Sequence, residues 1–119
     1  MLYFKAPGRY LQRDSLAAGW GTYTSYLEVG DDQFAVRQVE VFRSGQVLRY
    51  DAAHWCDEFG HLCGLRFSRK PKWAVFFPGV ELFTAAEFER VWRAAQGSPQ
   101  WEDQVATSRA AEWGAWRHD

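Results

Sequence analysis

The stretch QFAVRQVEVFRSGQVLRYD, residues 33–51, decides the fold. Two runs rich in β-branched and aromatic residues flank Ser44-Gly45, a two-residue turn signal. A turn at that point sets Arg43 opposite Gln46, Phe42 opposite Val47, Val41 opposite Leu48, Glu40 opposite Arg49 and Val39 opposite Tyr50. One face then carries Val39, Val41, Leu48 and Tyr50, and is the expected core face. The other carries Glu40 against Arg49, a cross-strand ion pair worth roughly 0.2–1 kcal/mol, with Phe42 against Val47 near the turn.

Working outward, TYTSYLEV (22–29) has strand composition, and Gly30-Asp31-Asp32 follows it as a turn. This segment is expected to pair with residues 33–39. Phe34 and Val36 have the opposite parity from Val39 and Val41. Either a bulge near Arg37-Gln38 reconciles them, or the strand is central and buried on both faces. LYFK (2–5) reads as a short first strand. WAVFF (73–77), stopped by Pro78-Gly79, reads as another.

Downstream, Thr84 and Glu87 form a capping box. Phe88, Val91, Trp92 and Ala95 follow the stripe of a core-facing helix, and Gly97 ends it. Ser98-Pro99 opens a second helical segment, with Ser98 as cap and with Trp101 and Val105 on one face. A tail with Trp113 and Trp116, interrupted by Gly114, closes the chain. Strands first and helices last predict an α+β fold in a single domain, residues 1–119. The expected architecture is an antiparallel β-meander of about four to six strands with one or two C-terminal helices packed on one face.

The 119 residues are 47% hydrophobic and 18% aromatic, with seven Trp, so the chain can bury a core without a metal or disulfides. With 14 basic and 15 acidic residues the formal charge is −1, which removes a global polycation as the basis of nucleic-acid binding. No apolar run approaches the roughly 18 residues of a membrane span, and the N-terminus has no signal-peptide core. The expected location is the cytoplasm, with both cysteines reduced.

The stretch VRQVEVFRSGQVLRYD, with Arg37, Val39, Glu40, Phe42 and Gly45, followed downstream by FTAAEFERVW, resembles a family of small bacterial domains. Its members share a strand of the type E-V-R-x-V-E-x-F, a glycine turn and an E-F-E-x-V-W helix, and occur in polymorphic toxin–immunity loci. The matching blocks are residues 22–51 and 80–95. The resemblance implies an immunity protein that neutralises a cognate toxin domain by occluding its active site. It supplies no catalytic residues.

HWCDEFGHLC, residues 54–63, holds both cysteines and two of the three histidines. If Asp57 to Gly60 form a turn, His54, Cys56, His61 and Cys63 could converge as a Cys2His2 zinc set. The spacing is not that of a zinc finger, and a core of this size does not need one. A Cys56–Cys63 disulfide is geometrically open but disfavoured in a reducing compartment. Cys56 with His61 and Asp57 is a further nucleophilic option, although such triads are rarely sequence neighbours. The expectation is no metal, no cofactor and no catalytic residue, and hence no enzyme. A zinc or thiol enzyme centred on 54–63 is kept as an alternative.

Arg66, Arg69, Lys70 and Lys72, interleaved with Phe67 and Trp73, offer charge and stacking for a nucleic-acid strand. The plainer reading is a solvated loop, so a nucleic-acid-binding module using residues 66–73 is the other alternative. Between Arg49 and Arg66 there is no Lys or Arg, while Asp51, Asp57 and Glu58 surround Trp55 and Phe59. Acids around exposed aromatics suit a basic partner. Asp51, Trp55, Asp57, Glu58 and Phe59 are therefore the expected contact set for a basic toxin domain.

Overall fold

Segments rich in aromatic and aliphatic residues build consecutive antiparallel strands: β1 (Leu2–Arg9), β2 (Thr22–Val29), β3 (Ala35–Phe42) and β4 (Val47–Asp51). A two-residue strand, β5 (Glu81–Leu82), adds to the far side of β1 and completes a five-stranded sheet in the order β4-β3-β2-β1-β5. Two helices follow, α1 (Ala85–Gln96) and α2 (Trp101–Ala106). The fold is α+β, as the order of patterns implied. The computed structural model describes residues 1–9, 15–64, 66–67 and 81–108. The expected strand at 73–77 and the tail bearing Trp113 and Trp116 lie outside them.

The β3–β4 hairpin forms, but one residue away from the expected register. Its loop is Arg43, Ser44 and Gly45, closed by Phe42 N–H donating to Gln46 O at 2.8 Å and Gly45 N–H donating to Phe42 O at 2.9 Å. Gly45 takes φ +106°, the left-handed position that ends this kind of three-residue connection. Val39 therefore faces Arg49, Val41 faces Val47, Glu40 faces Leu48 and Gln38 faces Tyr50. The expected Glu40–Arg49 ion pair does not exist, because a slip of one residue moves the two side chains to opposite faces.

Between β2 and β3 the register shifts between Glu28 and Val29, where Val36 is the additional residue, slightly upstream of the expected bulge. The central alternative also holds, since β3 is covered on both faces. On one face Val39 packs with Phe88, Trp92 and Ala95 of α1, flanked by Tyr3, Tyr26, Val41 and Val47. On the other, Leu27, Phe42, Leu48 and Tyr50 pack under Trp55, Phe59, Leu62 and Phe67, which come from irregular segments. The second face is thus closed by loops, where an amphipathic, partly polar face was expected.

Helix α1 starts as anticipated: Thr84 Oγ1 accepts from Glu87 N–H at 3.2 Å. Arg37 docks it to the sheet. Its guanidinium donates to both carboxylate oxygens of Glu28 at 2.7 Å and reaches Glu89 of α1, while lying over the rings of Phe88 and Trp92. The two acids hold the Arg37 guanidinium above its usual range, against the desolvation that opposes them.

Helix α2 begins later than expected. Ser98 does not cap it; its hydroxyl donates to Val47 O at 3.3 Å. Val105 is 52% exposed, and Gln104 takes the fully buried position. The consequence is a sealed sheet edge. Val47 N–H donates to Gln100 Oε1 at 3.1 Å, Arg49 N–H donates to Gln104 Oε1 at 3.2 Å, and Gln104 Nε2 donates to Arg49 O at 3.1 Å. Side chains thus satisfy the outward backbone groups of β4 that would otherwise stay open. Among the described residues no helix is long and apolar enough to cross a membrane.

Candidate functional site

Residues 51–63 leave β4, cross above the second sheet face and fold on themselves. Asp51 starts the turn, accepting from His54 N–H on Oδ1 at 2.8 Å while its own N–H donates to His54 O at 3.1 Å. Cys56 then pairs with His61 as an antiparallel bridge, with Leu62 N–H donating to Trp55 O at 2.7 Å. Asp57 N–H donates to Gly60 O at 3.0 Å, so Asp57-Glu58-Phe59-Gly60 is the turn that the sequence suggested.

Asp57 holds this arrangement together. It is 4% exposed. Its Oδ1 accepts from Tyr50 Oη at 2.8 Å, Phe59 N–H at 2.8 Å and Gly60 N–H at 3.0 Å. Its Oδ2 accepts from Gln104 Nε2 at 2.9 Å and meets His54 Nε2 at 2.8 Å. With donors converging from every side, the carboxylate acts as acceptor, which assigns the His54 proton to Nε2. The His54 ring also lies tilted against Trp101, at a centroid separation of 5.0 Å. Asp57 thereby joins the loop, β4 and α2.

Gln38 makes a second junction. Its Oε1 accepts from Cys63 N–H at 2.8 Å, and its Nε2 donates to Glu40 Oε1 at 2.8 Å and to His61 O at 3.2 Å. Glu40 is 5% exposed, and its other oxygen, Oε2, is buried without a hydrogen bond. Burial pushes the Glu40 carboxyl up to about 7; the Gln38 bond lowers it in part, and the charge of Asp57 raises it further. Arg49, on the opposite face, lies over Trp92 and Trp101 at 4.8 and 4.0 Å, and desolvation lowers its guanidinium from the usual value.

This geometry corrects much of the expected contact set. Trp55 is 8% exposed and Phe59 5%, so both are core side chains and cannot stand out as anchors. The acids around them mislead because the backbone turns those acids outward or, for Asp57, inward into hydrogen bonds. Asp57 is a structural centre. Asp51 is half-buried and Glu58 is exposed. Glu58 N–H donates to Thr107 Oγ1 at 3.3 Å, and Thr107 Oγ1 donates to Asp103 O at 3.0 Å. That contact brings exposed Asp103, with Glu102 beside it in α2, next to the loop tip. Nothing in the spacing of residues 51–63 pointed to α2.

The other constellations part in a similar way. Cys56 and Cys63 are both half-buried and are not joined to each other by a disulfide. His54 is committed to Asp57, and His61 Nδ1 faces Leu62 O at 3.0 Å. Among the described residues no group of three His, Cys, Asp or Glu side chains is placed to hold a metal. Phe67 is buried and stacks on Phe4 at 5.7 Å, which withdraws it from base stacking, and Arg66 Nε donates to Gln33 Oε1 at 3.1 Å. Arg69, Lys70, Lys72 and Trp73 lie outside the described residues.

The chain matches no protein-family model, no curated protein and no solved structure. The residues that carry the toxin–immunity resemblance have clear structural work. Arg37 and Glu89 tie α1 to the sheet, Val39 packs under Phe88 and Trp92, and Phe42 sits in the opposite core.

Proposed function

We propose that this chain is an immunity protein that binds a cognate, basic toxin domain and occludes its active site. The observation that supports this reading is the pinned acidic loop. Asp57 and Gln38 hold residues 54–63 in one conformation from beneath, so little ordering cost remains on binding. Glu58 at its tip and Asp103 and Glu102 of α2 offer negative charge to steer a basic partner. Trp55 and Phe59 support this surface from the core and do not contact the partner.

The test is to express the open reading frame beside this gene alone and together with this chain. Growth arrest that the chain relieves supports immunity. A neighbour without toxicity, or an arrest that the chain neither relieves nor binds, removes the reading. Charge reversal of Glu58 and Asp103 to Lys is expected to slow association about tenfold or more at low salt, with a weaker effect at high salt. Stopped-flow association rates at two ionic strengths measure it.

A further inference from the structure

Glu40 is an acid enclosed in the core, and among the described residues no cation pairs with it. It projects from β3 away from α1, opposite Ser25 of β2 and Leu48 of β4. Gln38 Nε2 satisfies one oxygen, and the buried Oε2 has no hydrogen-bond partner. The charge that acts on it is another buried acid, Asp57. Asp57 collects donors from Tyr50, Phe59, Gly60, Gln104 and His54. Glu40 has one neutral donor. Two carboxyls in one enclosed space cannot both ionise cheaply, and the poorly solvated one keeps the proton.

The groups facing this space belong to several elements. Gln38 lies on the same strand, Ser25 on β2, and Leu48 and the Tyr50 phenol on β4. The loop brings Asp57 and His54, together with the His61 carbonyl and the Cys63 amide that Gln38 bonds. Helix α2 contributes Gln104, which bonds Asp57. His54, the imidazole in this group, is turned to Asp57 and not to Glu40. The amide that solvates Glu40 is therefore also the amide that ties the returning arm of the loop to the sheet.

We propose that Glu40 is a proton-operated latch: neutral, it lets the loop at residues 54–63 close over the sheet, and ionised, it draws water in beneath that loop and loosens it. The sign follows from linkage. In the folded chain the carboxyl titrates at about 7, against 4.5 for a free glutamate, so the folded state keeps a proton that the unfolded chain has released. Stability from this group is greatest below the unfolded value, falls as pH rises, and has been lost once pH passes the folded value. The corresponding change in the folding equilibrium constant is on the order of a hundredfold. The latch lies under the surface assigned above to a partner, but it rests on core geometry and is tested on the isolated chain.

The thiols of Cys56 and Cys63 report on the loop. Wild type and Glu40→Gln are labelled with a thiol reagent between about pH 6 and about pH 8. Both carry the same cysteines, so the ratio of their rates cancels ordinary thiol ionisation. The expected ratio of wild type to variant is near 1 at the acid end and rises severalfold at the alkaline end. A flat ratio overturns the latch, even if global stability falls with pH. If the variant does not fold, a carbon-13 titration of the wild-type Glu40 carboxyl decides: a midpoint near 7 supports the proposal, and one near 4.5 ends it.

Discussion

Gln104 and Asp57 show how much can depend on one polar side chain. Gln104 is fully buried and bonds Arg49 N–H, Arg49 O and Asp57 Oδ2 together. Gln104→Ala leaves all three without that partner, and a loss of about 2–4 kcal/mol is expected from urea unfolding. Its exposed neighbour makes the control, since Val105→Ala should change stability by less than about 0.5 kcal/mol. Asp57→Asn preserves shape but places an NH2 group where the surrounding groups all donate. It too should cost about 2–4 kcal/mol, with the midpoint of denaturation as the readout. Neither of these structural roles was legible in the sequence. Asp57 read as one acid among several, and a glutamine on a helix says nothing about whether it turns inward.

The β3–β4 hairpin shows why the elements were legible and their register was not. Ser-Gly suits a two-residue turn, and it equally suits the end of a three-residue loop with glycine in the left-handed position. Alternation could not choose between them. Val39, Val41 and Phe42 on one strand and Val47, Leu48 and Tyr50 on the other supply apolar side chains to both faces, as a central strand requires. Ser44 distinguishes the two, because the two-residue turn needs positive φ at both central positions and only Gly45 has it. A Cβ on Gly45 would meet nothing within 4 Å, so substitution there carries only the conformational penalty of φ +106°. Gly45→Ala should cost about 1–2 kcal/mol and Gly45→Asn clearly less, as measured by thermal unfolding. Helix α1 was legible from its cap and stripe, because a hydrophobic period of 3.6 has few competing readings.

At the scale of the whole molecule, a helix layer covers one face of the sheet and an irregular layer covers the other. The first was foreseeable and the second was not. Irregular chain has no periodicity, so Trp55, Phe59, Leu62 and Phe67 carried no sign that they close a core. Their acidic neighbours suggested exposure instead. Trp55 and Phe59 were therefore expected to be exposed, and the structure buries both. Hydrogen exchange measures the difference. The amides of Asp57 and Leu62, bonded to Gly60 O and Trp55 O, should exchange as slowly as those of β3, within about tenfold at about pH 5, where Glu40 is neutral. Exchange at the rate of free chain would mean that the loop is not part of the packed structure.

The side-chain seal along β4 has a bearing on what the protein does in a crowded solution. A bare strand edge is a template, and one molecule docked on it presents the next edge in turn, so association has no natural end. Ser98, Gln100 and Gln104 stand where another molecule's backbone would otherwise bind. They belong to the short connection and the six-residue α2, the slenderest regular elements of the helix layer. Fraying of that one segment would leave the outward backbone groups of β4 open to a strand of another molecule. Gatekeeping against fibre formation then depends on a pair of glutamines.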